Sequence, residues 1–241
     1  MLIFQLISEL KEQVYPAQLL VVTKNRNVAD IKMVMGSGIR LIGESRLQEI
    51  QEKFDPSLLN ELRQKGIELH FIGHLQKNKV AKVVSVCDVI QTVDSLELAQ
   101  KINQEAAKLN KIMPVFFQLN LTGEEQKQGF QIPHPVGKDG FLAGRDEVSN
   151  LDYGGKSSLP RLRQMVQYIQ QLSYLKLLGF MCMGKQDDPE TTRQTFRWCK
   201  QLADQLSLRE ISMGMSEDYQ IALEEGSTLI RLGSKLFHEG D

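Results

Sequence analysis

The chain has 241 residues, 41% of them hydrophobic and 24% charged, and 29 Lys+Arg against 30 Asp+Glu leave a formal net charge of −1. That balance is ordinary for a globular protein and offers no basic stripe of the kind that nucleic-acid binding needs. No apolar run approaches the roughly 20 residues of a membrane span.

The N-terminal run MLIFQLISELKEQ meets Glu9, Lys11 and Glu12 at once, without a basic leader or a small-residue cleavage site. It reads as a leading helix. Cys87, Cys182 and Cys199 are widely spaced and form no C-x-x-C pair, which fits free thiols in a reducing compartment. A cytoplasmic, monomeric protein is the expectation.

The chain then alternates. LLVVT (19–23) is the first strand and runs straight into Lys24. A helical stripe of Val28, Ile31, Val34 and Met35 follows, punctuated by Gly36 and Gly38. RLIGE (40–44), ELHFIG (68–73) and DVIQTV (88–93) are the next three strands. Asp94-Ser95 offers a cap for a helix carrying Leu96, Ala99, Ile102 and Ala106, and PVFFQLNL (114–121) is the fifth strand. After a Gly-, Pro- and Asp-rich insertion at about 131–157 comes a stripe of Leu162, Met165, Ile169 and Leu172. LKLLGFMCM (175–183), REISMGM (209–215) and TLIRLGSKLF (228–237) complete eight strands.

Eight strands interleaved with helices in about 250 residues predict a single (β/α)8 barrel with an extra N-terminal helix, spanning 1–241 as one domain. A doubly wound sheet would want a Gly-rich first turn. GSGIRL (36–41) matches G-x-G-x-x-G in two glycines only and follows a helix rather than a strand.

In a barrel, strand C-termini build the site. Lys24 therefore stands either at an ordinary exit to solvent or at the mouth as a nucleophile, its amine prepared by partial burial. SMGMSED (212–218) and Gly233-Ser234 put two Gly/Ser turns at the ends of the last two predicted strands, where barrels commonly hold a phosphate; Ser216 and Ser234 are the expected contacts. Arg231 lies two residues before Gly233 and shares its face of a buried strand. An inward arginine needs a ligand or a carboxylate such as Glu44. His70 and His74 lack metal-site spacing, and His74 reads as a cap or packing residue. No metal site is expected.

VVTK (21–24), IGES (42–45), HFIGHLQKNK (70–79), the N-L-T-G-E-E-Q-K-Q-G run (120–129), SMGMSED (212–218) and GSTLIRLGSKLF (226–237) together resemble the pyridoxal 5′-phosphate (PLP) homeostasis protein family, single-domain relatives of the alanine racemase barrel. The resemblance implies that Lys24 holds PLP as a Schiff base, that Ser216, Gly233 and Ser234 hold its phosphate, and that Arg231 faces the pyridine nitrogen. A permanently cationic arginine cannot hand the ring a proton, which weakens the cofactor as an electron sink. The family pattern has Asn where Ser45 stands, beside the cofactor, and Gly where His238 stands.

The implied function is intracellular PLP (vitamin B6) homeostasis without strong catalysis, with PLP-dependent apoenzymes as possible recipients. A racemase-like enzyme is the alternative. Racemases of this fold bring a tyrosine base from a separate C-terminal domain, whereas here only Tyr153 and Tyr219 could approach the mouth. A third reading is a barrel that binds another phosphorylated metabolite.

Overall fold

The computed structural model describes residues 2–124, 126–132 and 158–237. Along them run strands β1 (Gln18–Val22), β2 (Leu41–Glu44), β3 (Glu68–Phe71), β4 (Val89–Val93), β5 (Met113–Asn120), β6 (Phe130–Gln131), β7 (Leu175–Met181), β8 (Glu210–Ser212) and β9 (Leu229–Leu232). The helices are α1 (Leu2–Val14), α2 (Val28–Gly36), α3 (Leu47–Lys53), α4 (Pro56–Gln64), α5 (Val80–Val86), α6 (Leu96–Lys108), α7 (Ser158–Gln170), α8 (Pro189–Gln205) and α9 (Tyr219–Glu224).

Every strand pairing is parallel, in the order β1-β2-β3-β4-β5-β7-β8-β9 and back to β1, so the sheet closes into an eight-stranded barrel. Closure removes the exposed edges that an open parallel sheet would carry. Among the described residues the two-residue β6 pairs only with β5.

The helices start where local chemistry dictates. Asn27 and Asp30 form a reciprocal capping box on α2, while Asp55 and Asp188 cap α4 and α8 just ahead of Pro56 and Pro189. On α6 the Ser95 hydroxyl accepts from Leu98 N–H at 3.3 Å. The buried face of α6 holds Leu98, Ala99, Ile102 and Ala106, with Leu96 only half-buried.

Period-two alternation splits the core into two layers. Leu20, Leu41, Val89, Phe116, Met181 and Leu229 fill the inside of the barrel, while Val21, Ile42, Ile90 and Ile230 pack outward against the helices. Gly43 shares the inward face of Leu41, and the position takes glycine because a Cβ there would lie 2.4 Å from Leu20 Cδ2.

The predicted strands all form, but six end before the expected residue, two of them by three residues or more. The ladder of the REISMGM segment stops at Ser212, since Gly214 adopts φ +95° and turns the chain toward Ala222. TLIRLGSKLF leaves the sheet after Leu232, and the amides of Leu236 and Phe237 both close back onto the Gly233 carbonyl. Of the insertion placed at 131–157, Gln131 ends β6 and Ile132 is buried, while 133–157, with Tyr153, lie outside the described residues, as does His238. His74 is exposed, and Gln76 rather than His74 stands at the N-cap position of the short 3-10 turn at Lys77–Lys79, without a side-chain capping bond, so the cap reading of His74 does not hold.

Candidate functional site

At the C-terminal ends of the strands lies a cavity of about 860 Å³. Val22, Ser45, Arg231, Gly233, Ser234 and Ser216 line one part of it, so five of the six site residues expected from the sequence meet there. Lys24 is not among the lining residues.

Lys24 is exposed, in a turn two residues beyond the end of β1. Leu20 and Val22 point into the barrel, but the ladder stops at Val22. The Arg26 amide then bonds Thr23 carbonyl at 3.0 Å, with Asn25 at φ +61° in the left-handed region that Asn tolerates. The expected partial burial of Lys24 is therefore not what the fold provides: its turn rises from the rim instead of continuing the buried strand.

That turn is clamped from below. Lys53 Nζ, on α3, donates to the Thr23 carbonyl (3.0 Å), Glu44 Oε1 (3.1 Å) and Glu49 Oε2 (2.6 Å). Thr23 Oγ1 donates to Glu44 Oε1 at 2.7 Å, and Asn25 N–H to Glu49 Oε2 at 2.7 Å. Glu44 is fully buried, its Oε2 has no partner among the described residues, and burial raises its pKa despite Thr23 and Lys53. Glu49 also feels desolvation, yet Lys53 and the Asn25 amide hold its pKa below the usual carboxylate value.

Arg231 is the charged group inside the barrel. It is 4% exposed and donates to Ser212 Oγ (2.6 Å) and to the Cys182 carbonyl (3.1 Å). Among the described residues no carboxylate pairs with it. Glu44 cannot, because it shares the outward face of Ile42 while Arg231 shares the inward face of Leu229. Burial draws the guanidinium pKa down, and nearby charges including Asp218 act against this. Asp218 in turn is desolvated, which raises its pKa, while its Oδ1 accepts the Met215 amide at 2.6 Å.

The hydroxyls of Ser45, Ser216 and Ser234 make no hydrogen bond to other described residues, and each lies at the lining of the cavity. The Ser45 loop is held by close backbone approach: a Cβ on Gly73 would lie 1.8 Å from the Ser45 carbonyl oxygen. That glycine ends the HFIG segment and leaves no room for any side chain.

Sequence reasoning missed the apolar wall of Met181, Met183 and Met215, although the first two continue the inward alternation of β7. It also missed Lys127, which lines the cavity and donates to the Gly184 carbonyl at 3.0 Å. Tyr219, one of the two tyrosines considered as a base, is 6% exposed; its hydroxyl bonds Gln13 Oε1 at 3.1 Å and it does not line the cavity. Among the described residues no cluster of His, Cys, Asp or Glu could hold a metal ion, and no helix is long and apolar enough to cross a membrane.

Residues 4–137 match the family model described as alanine racemase, N-terminal domain. A pyridoxal phosphate homeostasis protein of Synechocystis is 36% identical over 226 residues, covering 91% of this chain and 90% of the relative. One from Aquifex aeolicus is 31% identical over 230 residues, covering 92% and 87%. The structure of PipY from Synechococcus elongatus without PLP superposes with a TM-score of 0.79 at 28% identity, over 98% of this chain and 99% of PipY. PipY with PLP bound gives a TM-score of 0.75 at 26% identity and the same coverage. With the closed barrel, the match over more than half of the chain and relatives above 30% identity, the chain belongs to the alanine racemase N-terminal domain family, among its pyridoxal phosphate homeostasis proteins.

Proposed function

We propose that this chain binds PLP reversibly at the mouth of the barrel and serves intracellular PLP homeostasis, with Lys24 as the covalent anchor. The observation that carries the reading is Arg231, a buried cation at the cavity with which no carboxylate forms an ion pair among the described residues, Asp218 acting on it only from a distance. Such a group is costly unless a ligand acceptor faces it.

The residues fit the cofactor. Ser216, Gly233 and Ser234 would hold the phosphate with free hydroxyls and turn amides, Arg231 would face the pyridine nitrogen, and Ser45 would stand beside the ring. Val22, Met181 and Met183 supply apolar surface for it. PLP, when bound, supplies an aldehyde that condenses with an amine and an electron-withdrawing ring.

The protein's own groups point away from strong catalysis. Arg231 donates hydrogen bonds but yields no proton, so it holds the nitrogen facing it unprotonated. The Tyr219 hydroxyl is committed to α1 rather than to the cavity. Lys24 stands on an exposed turn above Val22, outside the cavity lining, and would meet the cofactor by swinging its flexible four-carbon stem inward, which suits a cargo that is taken up and handed on. PLP-dependent apoenzymes in the cytoplasm are the recipients that this implies, with the carrier acting as a monomer.

The test is chemical trapping. Purified protein incubated with PLP and reduced with borohydride should carry a phosphopyridoxyl group on Lys24 by peptide mapping, and Lys24→Ala should lose it while melting normally. Modification of another lysine alone would move the anchor, and no modification of the folded protein would reject the reading in favour of a different phosphorylated ligand. Turnover of free amino acids at enzymatic rates would favour the racemase-like alternative.

A further inference from the structure

A single file of hydrogen bonds crosses the inside of the barrel from Arg231 to the opposite end. Arg231 Nη1 bonds Ser212 Oγ at 2.6 Å, Ser212 Oγ bonds Gln91 Oε1 at 2.7 Å, Gln91 Nε2 bonds His70 Nδ1 at 2.8 Å, and His70 Nε2 bonds Glu68 Oε2 at 3.2 Å. Ser212, Gln91 and His70 are at most 2% exposed. The Glu68 side chain is 55% exposed, at the N-terminal start of β3. Ser212 and Arg231 sit at or near the C-terminal ends of β8 and β9, beside the cavity.

The direction of this file is fixed at both ends. A guanidinium only donates, so Ser212 Oγ accepts from it and turns its own proton to Gln91 Oε1. That orients the Gln91 amide, whose Nε2 can only donate; His70 Nδ1 therefore accepts, and the ring proton sits on Nε2, facing the carboxylate of Glu68. A reversed amide would leave the bare His70 Nε2 lone pair against Glu68. Four polar side chains in an apolar barrel core are expensive unless each is satisfied, and this order satisfies them.

We infer that His70 and Gln91 are positioning residues for Arg231, forming a one-directional relay that ties the barrel floor to the cofactor pocket. Through it, a change at His70, or at Glu68 on the exposed floor, alters how firmly Arg231 is held against its ligand. The inference rests on the PLP reading for its ligand, but its geometry stands in the ligand-free chain.

The experiment has one arm for each. In the ligand-free protein, nitrogen-15 NMR of the imidazoles should show His70 with its proton on Nε2, and His70→Leu or Gln91→Leu should shift the Arg231 side-chain N–H signals. His70→Asn, which keeps an acceptor close to the Nδ1 position, should restore those signals, whereas His70→Gln, which keeps only the link toward Glu68, should not. In the PLP-loaded protein, His70→Leu and Gln91→Leu should move the absorption band of the bound cofactor and weaken binding about tenfold, the scale of one buried donor left unpaired, with His70→Asn close to the parent. A His70 proton on Nδ1, unmoved Arg231 signals in a folded variant, or equal effects of Asn and Leu would overturn the relay. If the parent protein takes up no PLP, the PLP reading fails, and the ligand-free arm still decides the relay.

Discussion

Lys53→Met isolates the clamp beneath the Lys24 turn. Lys53 is 11% exposed in its side chain and is the cation shared by fully buried Glu44 and by Glu49. Methionine keeps the apolar stem but leaves Glu44 with only the Thr23 hydroxyl. Removing one partner of a buried pair costs about 3–5 kcal/mol. Glu44 can escape part of this by taking a proton, so the lower end applies: about 3 kcal/mol at neutral pH. For a domain of this length that is roughly 6–12 °C in Tm. The pH dependence has a definite sign. Glu44 already has a raised folded pKa, so its favourable contribution is present below the ordinary carboxylate value and is lost as pH rises through the folded value. Without Lys53 two influences that lower it disappear, the folded value climbs, and the deficit grows with pH. Glu49, whose pKa Lys53 helps to depress, adds a loss that is already complete above the ordinary carboxylate value, so its share of the deficit stays constant over this range. Thermal melts of parent and variant from about pH 5 to 8 should therefore diverge. The double variant Lys53→Met/Glu44→Gln should recover most of the loss, since a neutral amide needs no counter-charge. A constant deficit across pH, or no recovery in the double variant, would refute the electrostatic account and leave only lost packing.

Replacing Gly73 by alanine should displace the Ser45 loop, because a Cβ would sit 1.8 Å from the Ser45 carbonyl. We expect a loss of about 2–4 kcal/mol in chemical denaturation together with weaker PLP binding; a fully stable Gly73→Ala with unchanged binding would show that the two loops part easily. Arg231→Glu places an acceptor where Ser212 Oγ and the Cys182 carbonyl now receive hydrogen bonds. It should favour a proton on the facing pyridine nitrogen and shift the bound cofactor's absorption, and an unchanged spectrum would remove Arg231 from the ring.

Much of the barrel is visible in the sequence because closed parallel strands leave local marks: an apolar run for each barrel strand and an apolar stripe for several of the helices. The strand ends point to Ser216, Arg231, Gly233 and Ser234, the family resemblance adds Ser45, and the fold brings these five to one cavity. Strand ends were harder to read. KLF (235–237) is as apolar as a strand, but the Gly233 carbonyl captures its amides in a turn, a choice that depends on backbone geometry. Lys24 shows the same limit, since nothing in VVTK says that the ladder stops at Val22 and the chain turns at Asn25. The pairing of Arg231 was also hidden. Whether Glu44 faces the barrel interior or α3 is decided by register, a one-residue matter that composition does not carry. His70, Gln91 and Ser212 stand on three different strands and become one file only when the barrel closes.

The pairing of β1 with β9 joins the first and last described strands, with Leu20 opposite Arg231 and Val21 opposite Leu232. The cavity straddles this seam: Val22 and Ser45 come from one side of it, and Arg231, Gly233 and Ser234 from the other. A ligand held there fastens the two margins of the sheet together, and its binding free energy adds to the cohesion of the closed cylinder, about 2.7 kcal/mol when its concentration is a hundred times Kd. During synthesis the pocket therefore does not exist until β9 has docked beside β1, so the growing chain has no place for the cofactor, and occupancy reports that the barrel has closed.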